Sequence, residues 1–163
     1  MNITIREGVK DDLPSVLKLI KELADYENAI EQVTITLYDL EQDGFGSQPW
    51  FWFLVAEKDS VIIGISFYWI RYSTWKGKFL FLEDFVIKEK YRRHGIGSKL
   101  FEETIKICKK LNLNGMTWQV LDWNIPAIDF YRNFDAEISK DWLNGKLTKK
   151  QRLKTQNKKR LKL

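Results

Sequence analysis

The sequence predicts a mixed α/β domain built on one largely antiparallel central sheet flanked by helices. Three observations carry that expectation. Short runs rich in Val, Ile, Phe and Trp alternate or stay apolar in the manner of strands. Other stretches space their apolar residues three to four apart, and Gly, Asn or Pro marks the changes. The resulting order is β, α, α, three strands, α, β, α and two final strands, without an internal repeat or linker.

ITIRE (3–7) alternates like a half-buried strand. Asp11 and Asp12 are placed to cap a helix that carries Leu13, Val16, Leu17, Ile20 and Leu23 on one face. Pro14 falls in its first turn, where a missing N–H costs nothing. TLYDLEQDGFG (36–46) reads as a second helix closed by Gly44 or Gly46. WFWFLVAE (50–57) and VIIGISFYWIRY (61–72) read as strands, with KDS as a hairpin turn, and KFLFLEDFVI (78–87) follows the loop STWKG. From Gly97 the period becomes helical, with Leu100, Phe101, Thr104, Ile105, Cys108 and Leu111 on one face until Asn114-Gly115. MTWQVLDW (116–123) returns to strand, and Asn124 can cap a short helix over IPAIDFYRNF (125–134). AEIS and WLNGKL (142–147) read as a closing strand pair.

At 163 residues the chain suits one domain able to bury about two thirds of its unfolded surface. No apolar run is long enough to cross a bilayer, and the first residues carry no signal or transit character. A single cysteine, Cys108, excludes an intramolecular disulfide framework, so a reducing, cytoplasmic setting is expected. With one His and one Cys, no metal centre or Cys/His pair is expected within one chain. The net charge of +5 conceals an uneven distribution. Residues 149–163, KKQRLKTQNKKRLKL, hold eight basic and no acidic groups, whereas the preceding 148 hold 19 basic and 22 acidic groups. The expected organisation is an acidic body over 1–148 and a basic tail over 149–163.

YRRHGIGSKL (91–100) sits between a strand and a helix and carries R-x-x-G-x-G. The first turn of a helix leaves N–H groups without partners, and its dipole makes that end partly positive. Glycines bare the main chain there, and Arg92 and Arg93 add charge at the rim, so the run is suited to an anion such as a pyrophosphate. A dinucleotide fingerprint would need a third glycine where Leu100 stands, and a P-loop would need a wider glycine spacing.

LEDFVIKEKYRRHGIGSKL resembles motif A of the GNAT superfamily of acetyl-CoA-dependent N-acetyltransferases. IKELADYE (20–27), EQDGFG (41–46), YSTWKG (72–77), LEDFVI (82–87) and VLDWNIPAIDFY (120–131) are similar to its diamine subgroup, the spermidine/spermine and thialysine N-epsilon-acetyltransferases. The resemblance implies a GNAT fold and acetyl transfer to a primary amine of a small cationic acceptor, by direct attack through a tetrahedral intermediate. It implies acetyl-CoA as donor, held by Arg92, Arg93, His94, Gly95, Ile96, Gly97 and Ser98, with Asn124 contacting the coenzyme. Main-chain groups of Phe85, Val86 and Ile87 are expected to meet the pantetheine arm and the acetyl carbonyl. Tyr131 is expected to serve as general acid on the departing thiolate. Glu83 and Asp84 occupy adjacent strand positions and are expected to face opposite ways. Glu83 is assigned to the substrate as proton acceptor, and Asp84 is set aside as a solvated or ion-paired acid. Tyr26, Glu27 and Trp75 are expected to join Glu83 around the acceptor. His94 fills a variable slot of the turn and reads as an exposed loop residue.

Asp135 stands where the family usually has glycine after its catalytic helix, and the segment between Tyr131 and Trp142 is short. The basic tail has no counterpart in the family pattern. A homodimer is expected by resemblance. The alternatives are a protein N-acetyltransferase, or a nucleic-acid or ribosome-associating protein acting through residues 149–163.

Overall fold

In the computed structural model, which describes residues 3–153, the N-terminal alternating run forms strand β1, Thr4–Glu7. The chain divides after Gln119 into a sheet unit and a C-terminal unit. In the sheet unit, helix α1 (Leu13–Tyr26) and helix α2 (Leu37–Phe45) precede strands β2 (Trp52–Lys58), β3 (Val61–Ser73) and β4 (Gly77–Ile87). Helix α3 (Ile96–Lys110) then leads to strand β5, Met116–Trp118. The strands lie in the order β1-β2-β3-β4-β5, antiparallel except for the β4–β5 pair.

Local chemistry accounts for the joins. Asp59 and Ser60 both adopt positive φ, 49° and 61°, the two-residue turn whose twist matches paired strands. Thr36 caps α2 in a reciprocal box with Asp39. Asn28, at φ 56°, turns the chain out of α1. Asp12 stands at the head of α1 without capping it. Its carboxylate instead accepts from the Val9 amide and from Arg6, which also reaches Glu57. The Arg6 hydrogen bond, foremost, holds the Asp12 carboxyl below its ordinary range.

The helices cover opposite faces of the sheet. Leu13, Val16, Leu19 and Leu40 pack with Phe53, Val55, Ile65, Phe67 and Val86 on the α1–α2 face. Each fully buried aliphatic side chain there contributes about 1.5–3 kcal/mol. On the other face Phe101 of α3 meets the edges of Phe85 and Trp118, at centroid distances of 5.6 and 5.7 Å. A buried hydroxyl pair, Ser66 and Thr104 at 2.7 Å, ties β3 to α3.

One irregularity governs the site. Phe67 pairs with Asp84 but Tyr68 pairs with Leu82, so Glu83 is an extra residue in β4. Directly paired residues share a face, and Phe67 and Tyr68 alternate. Asp84 therefore lies on the face of Phe67, opposite Leu82, and so does Glu83. The expectation that the two acids face opposite ways is thus corrected: the bulge brings both to the α1–α2 face.

Two further expectations are corrected. β5 is three residues long instead of eight, because its ladder ends at Leu82–Trp118, where the bulge bends β4 away. The closing strand pair is absent: residues 136–148 form no regular element. Three of their large apolar groups face solvent, with Trp142 81 %, Leu143 97 % and Leu147 68 % exposed. The C-terminal unit contains helix α4, Ile125–Arg132, and Asp135 takes the left-handed turn after it at φ 57°, as its substitution for glycine requires. Thr148 and Gln151 form a capping box that opens a helical stretch over 149–153, and the rest of the basic tail lies outside the described residues.

Candidate active site

The glycine turn follows β4 and forms the head of α3. Arg93 and Gly95 adopt positive φ, 63° and 74°, and a Cβ on Gly95 would meet nothing within 4 Å. Glycine is thus required at 95 by backbone conformation, in open surroundings. Gly95 is also the N-cap of α3 and supplies no side chain, whereas Thr36 caps α2 and Asn124 caps α4. The first turn of α3, Ile96, Gly97 and Ser98, thus has no side-chain cap. Arg92 donates from Nε to the Ile87 carbonyl at 2.9 Å, and its guanidinium carbon lies 5.5 Å from the centre of the Tyr26 ring. His94 is exposed and donates from Nδ1 to the Arg92 carbonyl at 2.7 Å.

Beyond Leu82 no strand covers the outer edge of β4 among the described residues. Phe85, Val86 and Ile87 lie along this open edge. The Val86 and Ile87 side chains are buried, so main-chain groups are what this strand can offer a ligand. The Ile87 carbonyl is already used by Arg92.

On the α1–α2 face the bulge assembles carboxylates. Glu83 is exposed and accepts from the Trp69 indole N–H at 2.9 Å. Asp84 is partly buried, and no cation pairs with it among the described residues, so it is not the ion-paired acid that the sequence allowed. Burial first, then the charges of Glu83 and Glu27, push its carboxyl from 3.8 up to about 7. Glu27 follows the last turn of α1, and its own carboxyl is raised by burial. Thus Glu27, Glu83 and Asp84 form one electrostatic group. Among the described residues no three His, Cys, Asp or Glu side chains are gathered as a metal ion would need.

Tyr26 ends α1 beside Glu27, but its ring meets Arg92 of the glycine turn. Trp75 is 83 % exposed at the tip of the β3–β4 hairpin, beyond Gly77. Six strand residues, about 20 Å, separate Gly77 from Glu83, so one chain does not bring Trp75 to the carboxylates. In the C-terminal unit the Asn124 side chain accepts from the Ala127 amide at 3.3 Å, and Tyr131 is buried with its ring edge against Phe130.

Two residues escaped the sequence reading. Asp84 was set aside because strict alternation separated it from Glu83, and a bulge leaves no mark in a single sequence. Trp69 read only as a strand residue. Its place on the face of Phe67 follows from the β3 register alone.

An uncapped helix head beside an open strand edge and a raised carboxylate is equipment for transferring a group from an anionic donor. Residues 16–135 match the acetyltransferase (GNAT) family, and the chain belongs to that family. The match crosses Gln119, so both units contribute to one acetyltransferase domain. The chain is 37 % identical over 143 residues to the thialysine N-epsilon-acetyltransferase of Bos taurus, covering 83 % of this chain and 84 % of the relative. It is 36 % identical over 139 residues to the human spermidine/spermine N(1)-acetyltransferase-like protein 1, covering 81 % of this chain and 20 % of that protein. Its fold is similar to an aminoglycoside N-acetyltransferase solved in complex with CoA, with a TM-score of 0.72 at 18 % identity over 90 % of this chain and 95 % of the other. The protein is an acetyltransferase.

Proposed function

We propose that the protein transfers the acetyl group of acetyl-CoA to a primary amine of a small cationic acceptor, a polyamine or a thialysine- or lysine-like amine. The observation that carries this reading is the pair Glu83 and Asp84 on the strand that leads into the glycine turn, with Glu27 at the end of α1 adding its charge to Asp84. The relatives named for thialysine and for spermidine/spermine support the same acceptor class.

An alkylamine with a pKa of about 10.4 arrives charged and cannot attack until it loses a proton. Three carboxylates attract the ammonium, and the Glu83–Asp84 pair accepts its proton. Asp84 is the member whose proton affinity lies near working pH. The freed nitrogen attacks the thioester carbon, forming a C–N bond and a tetrahedral oxyanion. Main-chain N–H groups along Phe85, Val86 and Ile87 stabilise that charge. The C–S bond then breaks as the carbonyl re-forms, Tyr131 gives its phenolic proton to the thiolate, and the nitrogen's surplus proton leaves to solvent, from which the phenol is restored. The head of α3, with Arg92 and Arg93, holds the diphosphate, and Asn124 adds a contact to the coenzyme beside its helix cap.

Residues 1–148 carry this activity, and 149–163 are an accessory tail. The resemblance implies a homodimer, in which Trp75 can serve the acceptor site of a second copy. A thiol-release assay with spermidine, putrescine, thialysine and lysine tests the reading. Saturable, acceptor-dependent release with at least one of them is expected. Absence of heat on mixing with acetyl-CoA in calorimetry, or release indifferent to every amine, refutes it.

A further inference from the structure

Arg92 was read from the sequence as a donor-site residue and Tyr26 as an acceptor-site residue, yet the two side chains are in contact. An exposed arginine ordinarily samples many rotamers and loses that freedom when it binds an anion. Here two contacts hold its head before any ligand arrives. Nε donates to the Ile87 carbonyl at 2.9 Å, which fixes the plane of the guanidinium along the end of β4. The Tyr26 ring, 5.5 Å from the guanidinium carbon, covers one side of the group. The backbone behind it is steadied as well, since the Arg92 carbonyl accepts from His94. A guanidinium has five N–H donors in a planar fork. One is spent on Ile87, and neither terminal nitrogen has a partner among the described residues. That fork matches two phosphate oxygens at once.

We propose that Tyr26 is a positioning residue for the donor: its ring holds Arg92 so that the two terminal nitrogens face the diphosphate. The ring face that meets Arg92 is thereby closed to a cationic acceptor, and Tyr26 acts on amine binding only through its other side. This inference rests on the reading of the donor as a coenzyme A thioester.

The test compares Tyr26→Leu, Tyr26→Phe and Arg92→Lys with two donors, acetyl-CoA and S-acetylpantetheine, which lacks the diphosphate. Tyr26 is 41 % exposed at a helix end, so its replacement spares the core. Tyr26→Leu is expected to weaken acetyl-CoA about two- to five-fold, the range for an exposed cation–π contact. The same variant should leave the KM for S-acetylpantetheine unchanged, and Tyr26→Phe, which keeps the ring, should restore acetyl-CoA affinity. Arg92→Lys should lose affinity for acetyl-CoA, and adding Tyr26→Leu to it should cost nothing more. Equal losses with both donors, or a change confined to the KM of the amine, overturn the proposal while leaving the acetyltransferase reading standing. Failure of the unmodified protein to bind acetyl-CoA overturns both.

Discussion

Replacing Asp84 by asparagine should make the protein more stable and less active, and the stability gain should depend on pH in a calculable way. The Asp84 carboxyl titrates at about 7 in the folded chain, against 3.8 for an unperturbed group. A group raised in this way contributes its full stability only below 3.8, and loses it as pH climbs through about 7. Over that window the folded chain must either hold a proton that the unfolded chain has released or bear a buried charge. The cost relative to a neutral amide is under about 1 kcal/mol at pH 4 and about 4 kcal/mol at pH 8. Urea unfolding of wild type and Asp84→Asn at pH 4, 6 and 8 measures the difference directly. At pH 8 the same free energy corresponds to a melting-temperature gap on the order of 10 °C. The kcat/KM for acetyl transfer should fall in the same variant. A stability difference that stays flat between pH 4 and 8 would refute the argument, since it would mean that burial and the neighbouring charges leave Asp84 unperturbed.

Glu83→Gln removes a like charge that helps to raise Asp84, so the acid limb of the rate profile should move to lower pH. A limb that stays in place would show that Asp84 does not report on Glu83. Tyr131→Phe should lower kcat with little change in acetyl-CoA affinity, as loss of a proton donor requires; unchanged turnover would remove Tyr131 from the mechanism. Gly95→Ala forces a side chain into φ 74° in otherwise open space, so stability should drop by about 1 kcal/mol, seen in urea unfolding. Acetyl-CoA affinity should fall with it, and donor binding indifferent to this change would deny the α3 amides their role.

The first 118 residues were largely legible because their signals are local. Alternation gave β1 to β4, Asp59-Ser60 read as a turn, and the helical period began at the glycines where α3 begins. Legibility failed wherever the outcome depends on a partner strand. MTWQVLDW has the composition of a long strand, but a strand extends only while its neighbour stays in register, and β4 departs at Glu83. WLNGKL has alternating apolar groups but pairs with no strand among the described residues. At the site, the glycine turn and the place of Glu27 at the end of α1 were readable from residue types, whereas the perturbation of Asp84 was not. Its perturbation comes from burial and from two charges, one of them 57 positions earlier in the chain. Tyr26 shows the same limit, since nothing in the sequence says that its ring meets Arg92.

A single inserted residue links the two halves of the chemistry. If β4 continued without Glu83 as a bulge, its alternation would put only one acid on the α1–α2 face, leaving the acceptor side short of the like charges that raise Asp84. The same regular strand would stay parallel to β5 beyond Leu82, and the ladder would consume main-chain groups near Phe85, Val86 and Ile87, which the proposed function gives to the donor. The bulge at Glu83 leaves the edge of β4 without a strand partner beyond Leu82 and puts both carboxylates on the α1–α2 face, where Glu27 acts on Asp84. The energetic cost falls on Asp84, which must be buried near two like charges without a cation. Under the proposed function, an arriving ammonium would be the counter-charge for that group, and the instability at Asp84 in the free protein would become a preference for the acceptor.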